Sequence, residues 1–230
     1  MVNLKTMSIS IIIPTLNEEI AIESLLQQLQ PYRQQGHEVV VVDGGSKDKT
    51  IAMAESLADK VIQSEAGRTT QMNAGAEKGS GDVFWFLHAD SIIYENAINN
   101  IQFYLNEKNK DWGRFNVKLS GSHFMFRIIE RMMNLRSCIS GIATGDQGIF
   151  VKRTIFEQVG GYPAQPLMED IELSKKLKKI SPSVCVKNVI ITSSRRWEQK
   201  GILRTVLLMW RLRFLYWLGV SADKLAGQYR

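Results

Sequence analysis

The feature that most constrains this chain is an alternation of apolar, β-branched runs with helical stretches through its first 90 residues. Residues 8–14 leave no polar face, as expected of a strand covered on both sides. A helix is predicted over 18–30, with Ile22, Leu25, Leu26 and Leu29 at helical spacing and Pro31 and Gly36 marking the return. The strand pattern recurs at 38–42, 60–64 and 83–87. Predicted helices over 50–57, capped by Ser46 or Asp48, and over 69–78 separate these runs. Four strands joined by three helical crossovers specify an α/β fold, a Rossmann-like doubly wound, mostly parallel sheet. Ligands of such sheets bind beyond the carboxyl ends of the strands. Polar residues collect there: Thr15, Asn17 and Glu18 after the first strand, Asp43 after the second, Asp90 after the fourth.

The second half is less regular. Its pattern predicts a helix over 92–106, a strand over 113–119 and an amphipathic helix over 124–139. A strand over 145–152 follows, then a helix from about Thr154 and a Gly160-Gly161-Tyr162-Pro163 turn. A helix within 168–180, a strand pair within 183–191 and a long terminal helix over 201–218 complete it. No repeat or low-complexity linker divides the chain, so 1–230 reads as one domain. It divides into residues 8–110, 111–200 and a C-terminal amphipathic helix over 201–230.

A chain of 230 residues can bury a full core without disulfides or a structural metal. Its only cysteines, Cys138 and Cys185, are far apart and form no CxxC pair. That spacing argues against a zinc site and a disulfide framework, and for a reducing cytoplasm. The first residues do not resemble a signal peptide, and Met7 could serve as the start. No run reaches the roughly 18 apolar residues of a membrane span; Arg211 and Arg213 interrupt the closest, 206–220. The net charge of +6 favours anionic partners. Without zinc-finger spacing, an RNP-like strand or a basic arm, nucleic acid is not the expected partner.

The first strand leads into Pro14-Thr15-Leu16-Asn17-Glu18, where a dinucleotide-binding turn would carry G-x-G-x-x-G. The Walker pattern is also absent. A phosphate ligand therefore needs another device, and a divalent metal is the obvious one.

Thr15-Leu16-Asn17-Glu18, the segment Asp43-Gly44-Gly45-Ser46-Lys47-Asp48-Lys49-Thr50, His88-Ala89-Asp90 and Glu169-Asp170 stand in the order found in family-2 glycosyltransferases. The chain resembles that family from residue 8 to about 197, which implies a nucleotide-sugar-binding half at 8–110 and an acceptor half at 111–200. The resemblance implies a GT-A fold, a nucleoside-diphosphate sugar donor, Mn²⁺ or Mg²⁺, and inverting transfer to a hydroxyl. It implies that Asp43 binds base or ribose, with Pro14, Thr15, Glu18 and Gly44 around it. Asp43 could instead cap its own turn, and Glu18 could be a first-turn acid favoured by the helix dipole. Asp90 is the implied metal ligand, within His88-Ala89-Asp90. His88 replaces the first aspartate of D-x-D; it could contact phosphate, join the metal, or only pack. Asp170 resembles the general base, placed to take the acceptor's proton, or it is simply another first-turn acid. Gly67, Arg68, Gln71 and Asn73 to Gly75 sit where relatives fold a loop over the donor, and Arg68 could pair with the diphosphate. Ser194-Arg195-Arg196-Trp197 resembles Q-x-x-R-W without its glutamine. That departure favours single transfer over polymerisation, with Arg195 or Arg196 on the leaving diphosphate. Asp146 and Gln147 are acceptor-site candidates, and Trp112, Phe115 and Tyr162 candidate sugar platforms.

The terminal helix places Leu203, Val206, Trp210, Phe214 and Trp217 on one face, among Lys200, Arg204, Arg211 and Arg213. Such a helix either lies on an anionic membrane, near a lipid-linked acceptor, or packs on the domain or on a second copy. Rival readings of the whole chain are a sugar-phosphate nucleotidyltransferase and a noncatalytic nucleotide-sugar-binding protein.

Overall fold

The computed structural model describes residues 7–229; the lead at 1–6, where the signal-peptide reading falls, lies outside the described residues. Strands β1 (Ile9–Thr15), β2 (Glu38–Asp43), β3 (Lys60–Gln63) and β4 (Val83–Phe86) alternate with helices α1 (Ile22–Gln34), α2 (Thr50–Glu55) and α3 (Arg68–Lys78). They form the parallel part of a seven-stranded sheet ordered β3-β2-β1-β4-β6-β5-β7. Strand β6 (Phe150–Lys152) runs antiparallel to both β4 and β5 (Trp112–Leu119), while β7 (Val184–Thr192) is parallel to β5. The doubly wound, mostly parallel sheet expected from the sequence is present.

The apolar run of β1 is continuous because both its faces are covered. Ile11 and Ile13 pack with Leu25 and Leu29 of α1, whereas Ile12 joins Met72 and Ala76 of α3 on the other face. All three isoleucines are fully buried, each worth about 1.5–3 kcal/mol relative to exposure. Gly75 lets α3 lie close to the sheet: a Cβ there would sit 2.5 Å from Ile12 Cγ2. The buried Ser10 hydroxyl donates to Glu38 (2.6 Å) and accepts from the Gly81 N–H (2.8 Å), so its burial leaves no unmet polar group.

Several local expectations give way to tertiary contacts. Pro31 lies inside α1 rather than after it. Both Pro31 and Gln27, whose carbonyl loses its intrahelical partner, are on the exposed face, where water can substitute. The helix expected over 92–106 begins only at α4 (Ala97–Gln102), followed by a π turn at Phe103–Glu107. Ile92 is drawn instead into a two-way backbone bridge with Ile191 (2.8 and 2.9 Å). The strand expected over 145–152 survives only as β6. Gly145–Gln147 is a 3₁₀ turn held by Gln147 Oε1, which accepts from the Thr144 N–H and hydroxyl. The expected strand pair near 183–191 is the single strand β7, whose register against β5 shifts between Phe115 and Asn116.

Helix α5 (Phe124–Ser140) flanks β5; α6 (Arg153–Gln158) and α7 (Glu169–Lys178) close the α3 face. The long terminal helix expected over 201–218 is α9 (Ile202–Trp217); α8 (Arg195–Lys200) precedes it and α10 (Ala222–Tyr229) follows, so the described residues of 201–230 hold two helices rather than one. Gly201, at φ 86°, turns the chain from α8 into α9. Val206 packs inward toward Phe126 and Ile129 of α5, apart from the exposed Leu203, Trp210, Phe214 and Trp217 with which the sequence grouped it. Among the described residues no helix is long and apolar enough to cross a membrane.

Cys138 and Cys185 correct the sequence reading outright. They pair as a disulfide, with Cα atoms 5.7 Å apart, joining α5 to β7. Folding closes 47 residues of sequence separation, so the cysteine spacing no longer argues for a reducing compartment.

Candidate active site

The carboxyl ends of β1, β2 and β4 converge at the reversal of strand order, between β1 and β4. Thr15 pairs in register with Asp43. Asp43 is fully buried, and its carboxylate accepts from the N–H groups of Gly45 and Ser46 (both 2.8 Å) and from the Ser46 hydroxyl. It therefore holds its own turn. Gly44 donates to the Thr15 carbonyl (2.9 Å), and the Asn17 and Ser46 loops clasp through Asn17 N–H to Ser46 Oγ (2.8 Å) and Lys47 N–H to Asn17 Oδ1 (2.9 Å). Pro14 is half-buried beside this clasp. A rigid floor results, built from backbone and short polar side chains.

Beside it stand Glu18, Asp90 and Arg195. Glu18 is held above the usual carboxylate range by burial and then by the negative charge of Asp90; Arg195, 3.9 Å away, opposes this. A hollow of about 270 Å³ opens here, lined among others by Asp90, Ser91, Ser120, Thr192 and Arg195. Ala89 turns its methyl into the core, leaving only its backbone toward the site.

His88 links this end of the cleft to α7. Its Nδ1 lies 3.5 Å from Arg68 Nη2, and Arg68 Nη1 lies 3.6 Å from the buried Glu169 carboxylate. A Cβ on Gly145 would stand 2.9 Å from His88 Nε2, so the ring rests against that glycine. Gly145 in turn donates its N–H to Asp170 Oδ2 (2.9 Å), while Asp170 Oδ1 accepts from Ile171 N–H (2.8 Å). Asp170 sits in the first turn of α7, where the helix dipole favours a carboxylate. The preceding Met168 is held at φ 64°, an uncommon conformation for a non-glycine residue next to a candidate base. Burial, followed by Arg68, drives His88 well below its ordinary pKa, so its ring is neutral at pH 7. Burial alone would lower Arg68, but Glu169 and Asp170 outweigh it and hold the guanidinium above its ordinary value.

Other sequence candidates have different tasks. Arg68, Gln71 and Asn73 lie on α3, not on a loop over the donor. Gln71 Nε2 donates to the carbonyls of Thr15 (2.7 Å) and Val42 (2.8 Å), tying the ends of β1 and β2 together. Asn73 is spent on both backbone groups of Tyr162, and only Arg68 remains facing the cleft. Arg196 donates to the Tyr229 carbonyl (2.6 Å) and stacks 3.6 Å from that ring's centre, binding α8 to α10. Trp112, Phe115 and Tyr162 are buried core residues rather than sugar platforms. Gln147 is fully buried in its turn, but Asp146 keeps a buried carboxylate oxygen without a partner. Burial and then the Asp170 charge raise Asp146, opposed first by a hydrogen bond with Thr144 and then by the charges of Arg213 and Arg136. Those two arginines were missed as site residues. The available signal was that both interrupt apolar helical runs.

The family model for Glycosyl transferase family 2 matches residues 10–158, more than half of the chain. The chain belongs to glycosyl transferase family 2. The matched segment carries β1 through α6, including Pro14 to Glu18, Asp43 and His88 to Asp90, and stops before Asp170. This family-2 chain is 24% identical to the probable glycosyltransferase YdaM of Bacillus subtilis, over 89% of its own length and 53% of that protein. Its fold matches S. aureus TarS 1-349 in complex with UDP-GlcNAc at a TM-score of 0.65 and 20% identity, covering 81% of this chain and 58% of that one. It matches the mannosyltransferase PcManGT from Pyrobaculum calidifontis, in complex with GDP-Man and Mn²⁺, at 0.64 and 20% identity, covering 80% and 56%. The fold is therefore GT-A, as the motifs implied. The chain spans about half the length of YdaM.

Proposed function

We propose that this chain is an inverting glycosyltransferase that moves a sugar from a nucleoside-diphosphate donor to an acceptor hydroxyl, assisted by a divalent cation. One observation carries the reading. Asp170 is bonded to Gly145, Gly145 abuts His88, and His88 stands two residues before Asp90. This run of contacts supports placing the carboxylate suited to a base and the carboxylate suited to a cation around one cleft.

The donor's base and ribose would lie over Pro14, Thr15 and Gly44. Asp43 would act through the turn that it holds, because its carboxylate is already engaged. Among the described residues no cluster of three His, Cys, Asp or Glu side chains could hold a metal alone. A hard cation bound mainly by substrate phosphates needs only one or two carboxylates. Asp90, with the like charge of Glu18 beside it, fits that donor set, and the neutral ring of His88 would suit Mn²⁺ better than Mg²⁺. Such an ion, when bound with the donor, supplies Lewis-acid neutralisation of the leaving diphosphate. Arg68 and Arg195 would add positive charge to the same phosphates. Asp170 would accept the acceptor's proton at a carboxylate oxygen, with Gly145 N–H fixing its orientation. Asp146, with its unpartnered oxygen, would bind an acceptor hydroxyl.

Thermal stabilisation by a panel of nucleoside diphosphates, with and without Mn²⁺, tests the donor site. Stabilisation that requires both is expected, followed by metal-dependent release of nucleotide from the matching sugar donor. No stabilisation by any diphosphate in the presence of metal would overturn the proposal. Tight binding without turnover would favour the noncatalytic reading.

A further inference from the structure

Helix α9 is packed on one side only. Leu212 is fully buried beside Ile171 of α7, and Val206 faces α5, but Leu203, Leu207, Trp210, Phe214 and Trp217 are all more than half exposed. Their spacing of four, three, four and three residues places them on one outer face. Helix α5 repeats the pattern. Phe126 and Ile129 point into the molecule, while Phe124, Ile128, Met132, Leu135 and Ile139 are 45–79% exposed along the opposite face.

The two stripes are neighbours. Phe124 and Leu203 line the same hollow of about 510 Å³ at the start of both helices. Further along, Arg213 of α9 is a like-charged neighbour of Arg136 of α5. Ten large apolar side chains on two adjacent helices exceed the scattered exposure of an ordinary surface.

The charges choose the occupant. Through Phe124–Ser140 and 202–220 the only acid is Glu130, which is buried and paired with Arg127 at 2.9 Å. Arg131, Arg204 and Arg211 are exposed within one turn of the apolar stripes. A second copy docked by two-fold symmetry would present this same cationic face to itself, opposing arginine to arginine. An anionic bilayer meets both demands: it admits the tryptophan and leucine side chains at the headgroup level and pairs with the guanidinium groups.

We infer that α5 and α9 together form a membrane-docking face for anionic lipid, with the family-2 domain lying on the bilayer rather than crossing it. The inner side of the same helices supplies Arg136 and Arg213 to the surroundings of Asp146. Docking therefore sets the acceptor end of the cleft beside the lipid surface. If the transferase reading holds, that geometry favours an acceptor hydroxyl carried on a membrane-anchored molecule.

The test uses the full chain without nucleotide or acceptor, so it reports even if the transferase reading fails. Co-sedimentation with vesicles of phosphatidylglycerol and phosphatidylcholine is compared with phosphatidylcholine alone at low and high salt. Binding is expected to anionic vesicles only and to weaken as salt screens the arginines. Leu207→Glu with Phe214→Glu on α9, and separately Leu135→Glu with Ile139→Glu on α5, should each weaken it about tenfold or more. These side chains are exposed, and circular dichroism with thermal melts checks that both variants stay folded. Wild-type protein remaining in the supernatant at low salt would overturn the inference. An α5 variant that binds like wild type would overturn the two-helix face. A wild-type dimer in analytical ultracentrifugation that either variant dissociates, without vesicle binding, would give the face to self-association instead.

Discussion

Reducing the Cys138–Cys185 bond should destabilise the second half of the molecule. The bond closes a sequence separation of 47 residues, and for a loop of that length the chain-entropy relation gives about 4 kcal/mol at 25 °C. For a protein of this size that corresponds to a melting shift of about 8–16 °C. The figure is an upper estimate, since structure persisting in the reduced unfolded chain diminishes it. Cys138 is exposed, so a mild reductant can reach the bond without prior unfolding. The closed loop contains the Gly145 turn and the start of α7, so Asp146, Glu169 and Asp170 lie within it. Thermal melts followed by tryptophan fluorescence, with and without reductant, measure the shift; Cys138→Ser with Cys185→Ser should reproduce it without reductant. Hydrogen exchange should then rise first between residues 138 and 185. Coincident melts for oxidised, reduced and double-serine protein would refute the reasoning.

Asp90→Ala should abolish metal-dependent binding of a nucleoside diphosphate, and chelation of the metal should do the same to the unaltered protein; unchanged calorimetric affinity with metal present would remove Asp90 as the ligand. Asp170→Asn should lower transfer by roughly 10²–10⁴ while leaving donor affinity within about threefold, as read from single-turnover rates and titration. Near-normal transfer would exclude Asp170 as the base. Stability should also fall in acid through Glu38. Burial pushes its pKa up, but Lys60, the Ser10 hydroxyl and the Ser80 N–H together hold it below its ordinary value of 4.5. Its contribution is therefore complete above that value and is lost as pH falls through the lower folded-state pKa. Glu38→Gln should flatten the stability profile below about pH 5, measured by urea unfolding across pH.

Sequence by itself determined the architecture of the first half, because the signals there are local and repeated. Buried parallel strands must be apolar on both faces, so the runs ending at Thr15, Asp43 and Phe86 announced themselves, and the polar residues beyond them marked the cleft. Motif order then pointed to family 2. Only the tertiary structure decided what those polar groups do there. Asp43 caps its own turn, the local alternative the sequence left open, whereas Gln71 and Asn73 are engaged with backbone groups that folding brings to them, and Arg196 with Tyr229 at the far end of the chain. Ile92 left its helical pattern for Ile191, and two cysteines that looked unrelated met across α5 and β7. The second apolar stripe, on α5, was legible as an amphipathic helix but not as exposed surface. A helical pattern gives the period of a face, whereas burial depends on which neighbour arrives to cover it. Contacts between residues distant in sequence are set by how the elements pack, and no local pattern encodes them.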